Sequence, residues 1–269
     1  MYVNLSKKFI TKNLLIHLSR SHLGRPLQIP LWRIVKAIIY RLKSGCQWRE
    51  LPMAVFCGRT LVSWNTVYYH FGKWSKDGSW KRMWTQLLQT NHSKLDMSSV
   101  QLDGSHTPAK RGGQAVAYQG RKKSKTTNAL FLTDKQGIPL AISEPIDGNH
   151  NDLFEIEIFF TKMLEDMKNA QISTNGLFLN AGAGFDGEAL RKICWSQDII
   201  ANIDFNKRNT KNTDNQPLLD DLLYKERFSV ERTNAWIDAF KALLVRFETK
   251  AQTWLSLHYL AFALILIRI

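Results

Sequence analysis

Between residues 31 and 43, Leu31, Ile34, Val35, Ile38, Ile39 and Leu42 recur at helical spacing, while Arg33, Lys36, Arg41 and Lys43 fall on the other side. Gly45 ends that helix and Pro52 marks the next loop; Trp64, Val67, Tyr68 and Phe71 predict another short helix before turns at Gly72 and Gly78. From residue 97 the pattern changes to alternating strands and helices. A short strand over 98–102 ends at Asp103, and apolar runs at 129–133 and 138–142 flank Asp134-Lys135-Gln136-Gly137, a hairpin turn. Asp152 is placed to cap a helix whose face is Leu153, Ile156, Phe160, Met163 and Met167. A strand at 177–179, a helix over 186–194 and a strand at 199–203 follow, then a polar segment, 204–221, that reads as a mobile loop. Helical stretches at 230–244 and 253–267 finish the pattern. The last is apolar but holds His258, and from Trp254 onward it is shorter than the ~20 residues that span a bilayer, so it reads as a buried core helix.

Composition narrows the class. An apolar share of 44% with 11% aromatic residues fills a core and excludes disorder. Cys46, Cys57 and Cys194 have no CxxC spacing, so neither a disulfide framework nor a zinc site is expected. Lys7, Lys8, Lys12 and His17 interrupt the first apolar residues, which argues against a signal peptide and for a cytoplasmic protein without membrane contact. Of the net charge of +14, residues 1–102 carry +13, from 16 Lys and Arg against 3 acids. That asymmetry predicts a basic helical region over 1–95 that holds a polyanion, DNA first and an anionic membrane surface behind it, ahead of a nearly neutral α/β domain over 96–269; a solvated basic bundle is the alternative. Arg33, Lys36, Arg41 and Lys43 are candidate DNA contacts in the first region. His106, Lys110, Arg111, Arg121, Lys122, Lys123 and Lys125 are candidates in the second, where a basic run can neutralise phosphates without reading sequence.

The acids carry the candidate chemistry. A carboxylate at a strand end reaches the crevice beyond the sheet, and with a second one it can hold Mg²⁺ for in-line phosphoryl transfer. Asp103 fits that place, although Asp-Gly is also a turn signature. Tyr224, Arg227 and Glu231 stand at i, i+3 and i+7, one helix face, with Glu231 as a ligand and Arg227 and Tyr224 as phosphate contacts. An exposed Arg–Glu pair at i,i+4 has the same spacing.

Leu-Asp103-Gly-Ser-His106-Thr-Pro, Asp147-Gly-Asn-His-Asn-Asp152, Asn-Ala-Gly182-Ala-Gly-Phe-Asp186 and Tyr224-x2-Arg227-x3-Glu231-Arg-Thr occur in that order. Together they resemble the transposases of the insertion sequence five family. Leu42-Lys-Ser-Gly45-Cys46-Gln-Trp48-Arg49-Glu-Leu51-Pro52 is similar to that family's N-terminal segment, and Trp254 to Ala263 to its terminal helix. The resemblance implies an all-helical DNA-binding region followed by a ribonuclease H-like mixed-sheet core. It further implies a DDE acid triad using Mg²⁺ or Mn²⁺, DNA cleavage and strand transfer at terminal inverted repeats, and a dimer or higher assembly on DNA. Asp103 matches the first catalytic Asp, Glu231 the Glu, and Tyr224 and Arg227 the accompanying pair. The second Asp is replaced by Gly182, which cannot ligate a metal. Loss of a charge-positioning carboxylate costs roughly 10³-fold or more in rate, so this copy is expected to be catalytically weak or dead. Asp186 and Asp204 are distant substitutes, Asp186 reading first as a helix N-cap. The alternative function is a non-catalytic DNA-binding derivative.

Overall fold

The computed structural model describes residues 5–20, 26–58, 60, 62–206 and 218–268. Five helices come first: α1 (Lys7–Asn13), α2 (Leu31–Ser44), α3 (Met53–Cys57), α4 (Trp64–Lys76) and α5 (Ser79–Thr90). The predicted face of α2 is buried, and Gly45 closes the helix at φ +69°, a left-handed position that costs glycine nothing. Gly72 does not break α4, because Val67, Phe71 and Trp74 keep the buried stripe in phase across it.

The strands and remaining helices are β1 (Val100–Pro108), β2 (Ala117–Gln119), β3 (Ser124–Asp134), β4 (Pro139–Ile142), β5 (Ile146–Asp147), α6 (Ile156–Asn169), β6 (Phe178–Ala181), α7 (Glu188–Ser196), β7 (Ile200–Ile203), α8 (Asp221–Tyr224), α9 (Ser229–Asp238), α10 (Lys241–Leu244) and α11 (Ala251–Arg268). One mixed sheet has the order β2-β3-β1-β6-β7, with β4 and β5 also paired to β3. The β1–β3 and β3–β4 pairs are antiparallel, whereas β1, β6 and β7 run parallel. This is the ribonuclease H-like mixed sheet that the resemblance implies. The hairpin turn forms where expected: Gly137 takes φ +85°, and Asp134 Oδ1 accepts from the Gln136 and Ile138 amides at 3.0 and 2.7 Å.

Several boundaries differ from the sequence reading; the helical stretch at 230–244, for one, is two helices, α9 and α10, broken at the extended Phe240. β1 does not stop at Asp103 but runs on to Pro108, because its antiparallel pairing with β3 continues from Val100↔Asp134 to Pro108↔Thr126. Helix α6 starts at Ile156 behind Glu155, so Asp152 is not its cap. The predicted loop at 204–221 falls largely on 207–217, outside the described residues.

Helix α11 joins the two parts. Residues Trp254 to Leu266 are all buried, the signature of a helix packed on every side. Phe262 meets Trp84 of α5 at 5.6 Å between ring centroids and Phe131 of β3 at 6.2 Å. No helix among the described residues is long and apolar enough to cross a membrane. Arg41 corrects the charge reading: it is 3% exposed and pairs with Glu248 at 2.7 Å, so it ties α2 to the segment before α11 instead of facing DNA.

His258 stands in the same core, its Nδ1–H donating to the Trp254 carbonyl at 3.1 Å, and burial lowers its pKa to about 4. The unfolded chain therefore binds this proton more tightly than the folded one. The fold keeps its full stability above about pH 6.5 and loses up to about 3 kcal/mol from this group as pH falls toward 4. His258→Phe should show a smaller drop in melting temperature between pH 7 and pH 4.5 than the parent; an identical drop would remove His258 as the acid-sensitive group.

Candidate active site

Register sets the site. Gln101, Asn180 and Asn202 are in-register neighbours on the parallel strands β1, β6 and β7, so their side chains share one face. They form a buried amide chain. Asn202 Nδ2 donates to Asn180 Oδ1 at 2.8 Å, Asn180 Nδ2 to Gln101 Oε1 at 3.0 Å, and Gln101 Nε2 to Ser99 Oγ at 2.9 Å. The chain also holds backbone from outside the sheet. Asn180 Nδ2 donates to the Leu223 carbonyl and Asn202 Nδ2 to the Asp220 carbonyl, both at 3.0 Å, while the Asp220 amide donates to Asn202 Oδ1 at 2.8 Å. Ser99 Oγ donates to Glu226 Oε2 at 2.6 Å. These bonds seat residues 220–226 on the sheet face.

Two residues further along each strand, on the same face, come Asp103, Gly182 and Asp204. The Asp204 amide donates to the Ala181 carbonyl at 3.3 Å and continues the β6–β7 pairing to this row. The seated segment then delivers its side chains. Tyr224 closes α8, Arg227 lies in a 3-10 turn, and Glu231 is exposed in the first turn of α9. Helix α9 is pinned to the β3–β4 turn, Thr233 Oγ1 donating to the Gly137 carbonyl and Arg232 Nη1 to the Gln136 carbonyl. The structure thus brings Asp103, Arg227 and Glu231 into one electrostatic neighbourhood. Burial pushes the Asp103 carboxyl up to about 6; the Arg227 guanidinium pulls it down, and Asp152 and Glu231 push it up.

Arg227 lies over the rings of Tyr224 and Phe228 at 5.5 and 5.4 Å. A Cβ built on Gly182 would meet Arg227 Nη1 at 3.7 Å and Cζ at 3.8 Å and nothing nearer, so the guanidinium borders the space a second Asp would use. Tyr224 Oη donates to Asp204 Oδ2 at 3.4 Å, and burial raises the Tyr224 pKa. Asp186 is engaged elsewhere: Arg191 donates to its Oδ1 at 2.8 and 3.1 Å, the Asn206 amide to its Oδ2 at 3.0 Å, and Gly187, not Asp186, caps α7. The acid triad implied by the resemblance would offer Mg²⁺ or Mn²⁺ three carboxylates. Among the described residues no group of three or more His, Cys, Asp and Glu is gathered to hold a metal ion, and Gly182 offers no donor. The donor set does not fit the metal as the chain stands.

Sequence reasoning missed Asp152. Asn128 Nδ2 donates to Asp152 Oδ1 at 2.8 Å on the opposite face of β1, and a Cβ at Gly104 would lie 2.1 Å from that oxygen. The Gly after Asp103 was the signal: it admits a carboxylate to the back of the strand. His106 is half-buried on that face, with Nδ1 at 3.2 Å from Thr126 Oγ1; burial lowers its pKa, Lys122 and Arg121 add to the lowering, and Asp152 opposes it. Lys110, Arg111, Arg121, Lys122, Lys123 and Lys125 are exposed. In the helical region, Arg33 and Lys36 line an open cavity of about 400 Å³ with Trp32 and Tyr40, whereas Lys43 Nζ donates to the Ala239 carbonyl at 2.9 Å and braces α2 against the end of α9.

Residues 100–266 match the family described as "DDE superfamily endonuclease", and residues 9–84 match "Putative transposase of IS4/5 family". The "Insertion element IS402 uncharacterized 16.2 kDa protein" of Burkholderia cepacia is 30% identical over 81 residues, 29% of this chain and 52% of that protein. The chain thus spans about half the length of that curated relative. The Mos1 transposase paired-end complex with left transposon end gives a TM-score of 0.31 at 10% identity, covering 90% of this chain and 79% of that one. A pre-cleavage Mos1 transpososome gives 0.29 at 11%, covering 93% and 81%.

The amide chain makes a direct prediction. Asn180→Leu leaves Gln101 Oε1 and the Leu223 carbonyl without their donor. It should cost about 2–4 kcal/mol and speed amide exchange across 220–231 while exchange in β3 keeps its rank. Unchanged exchange over 220–231 would show that another contact seats the segment.

Proposed function

Because the chain belongs to the DDE superfamily of endonucleases, whose members use divalent metal ions, we propose that it is an insertion-sequence transposase that binds terminal inverted repeats but is impaired in strand cleavage and transfer. The observation that carries the reading is the meeting of Asp103, Arg227 and Glu231 at the row of parallel-strand ends, with Gly182 between them and Asp204. Asp103 and Glu231 are proposed to act on a phosphodiester, with Tyr224 and Arg227 contacting phosphate. The ion proposed is Mg²⁺ or Mn²⁺, for which this chain lacks one carboxylate.

Double-stranded DNA is the proposed partner. The exposed Lys110, Arg111, Arg121, Lys122, Lys123 and Lys125, with His106 beside them, are proposed to line its path near the site. Arg33, Lys36 and Lys43 are proposed contacts of the basic helical region, in a dimer or higher assembly on DNA and a cytoplasmic setting. A second reading, a DNA-binding derivative without catalysis, is favoured by Gly182 itself.

Cleavage of duplexes carrying the element's own ends, in Mg²⁺, separates the two. Gly182→Asp should raise the cleavage rate by roughly 10³-fold over the parent, and adding Asp103→Asn should abolish the gain. Robust cleavage by the parent, lost on Asp103→Asn, would sink the claim of impairment. No cleavage by Gly182→Asp, with binding to repeat ends retained, would favour the second reading.

A further inference from the structure

The open cavity between α2 and α3, about 400 Å³, is within the size range of pockets that enclose small ligands. One wall is a single stripe of α2: Trp32, Lys36 and Tyr40 stand at i, i+4 and i+8, with Arg33 beside the first of them. Val55 and Phe56 of α3 face them across the opening. The walls are braced. Arg33 Nη1 donates to the Cys57 carbonyl at 3.1 Å, which ties its guanidinium to the end of α3, and the same group lies 5.4 Å from the Trp32 ring. Phe56 meets Tyr40 edge-on at 5.5 Å between ring centroids. Among the described residues no acid lines the cavity, and neither Arg33 nor Lys36 is in an ion pair. Aromatic walls beside two unneutralised cations suit a ligand that is itself part flat ring and part anion. An acidic peptide brings the charge without the ring, and a duplex keeps its base faces stacked on one another. A nucleotide outside a duplex brings both.

We propose that this cavity binds a single unpaired nucleotide, its base against the aromatic wall of α2 and its phosphate on Arg33 and Lys36. On DNA that nucleotide belongs to an unpaired stretch of a strand. The assignment to a DNA strand rests on the reading of DNA as the partner; the nucleotide site itself does not.

Titration calorimetry of the full chain with thymidine 5′-monophosphate tests the site. The nucleotide should bind in a one-to-one complex, while thymidine and inorganic phosphate, each with part of the chemistry, should bind at least roughly tenfold more weakly. Trp32→Leu and Lys36→Gln should each weaken binding by roughly tenfold. Val55→Glu sets a carboxylate at a rim position that is 76% exposed, and should weaken binding as much at an unchanged melting temperature, which separates loss of the site from loss of the fold. No binding by the parent, or binding that all three substitutions leave intact, overturns the proposal. So does polyglutamate that displaces the nucleotide at an equal concentration of residues, which would make the cavity a site for acidic peptides. Fluorescence anisotropy then compares a blunt duplex with the same duplex carrying two unpaired nucleotides at one 3′ end. The tailed duplex should bind more tightly, and Val55→Glu should remove the difference. Equal binding of both duplexes by a chain that takes the monophosphate keeps the nucleotide site and overturns its assignment to a DNA strand. Binding of the monophosphate with neither duplex bound overturns DNA as the partner.

Discussion

The arrangement of the site hangs on a row of three buried amides. Gln101, Asn180 and Asn202 are each 2% exposed or less, in a layer where an unpaired polar group is costly, so each must find its partners. Part of that demand is met between strands, and the rest is met by the backbone of residues 220–223. The same bonds that satisfy the sheet therefore draw in the segment leading to Arg227 and Glu231. Because side chains alternate along a strand, the row that holds the segment also lies on the face of Asp103, one repeat away. Placement of the acids follows from this pairing of demand and supply.

The two faces of β1 carry different groups. Asp103 shares a face with its cross-strand partner Phe131 and thus with α11, whereas Gly104 opens the other face to Asp152. The strand tolerates a carboxylate on each side because one of them, Asp152, receives a hydrogen bond from the buried Asn128 amide. Helix α11 then fixes the sheet against the basic helices, so α5 and β3 close on one apolar core.

Much of this was legible in the residues. The face of α2 and the Asp134–Gly137 hairpin rest on local periods and turn chemistry, which a sequence displays directly; the order of Asp103, Gly182 and Glu231 stood out only through the family resemblance. What escaped depended on partners far away in the chain. Arg41 sits on the polar side of α2 by period, yet it is buried because Glu248 waits more than two hundred residues on. Asp152 looks like a helix cap until β1 is known to continue past Asp103 and to leave Gly104 facing it. The amide row is invisible without register, since Gln101, Asn180 and Asn202 lie on three separate strands.

At Gly182 the backbone angles are open to any residue, and a Cβ would meet only Arg227, in ordinary contact. Of the row Asp103, Gly182 and Asp204, the middle position can therefore take a larger side chain without a shift of the backbone around it, a freedom that Gly104, Gly113 and Gly148 do not share.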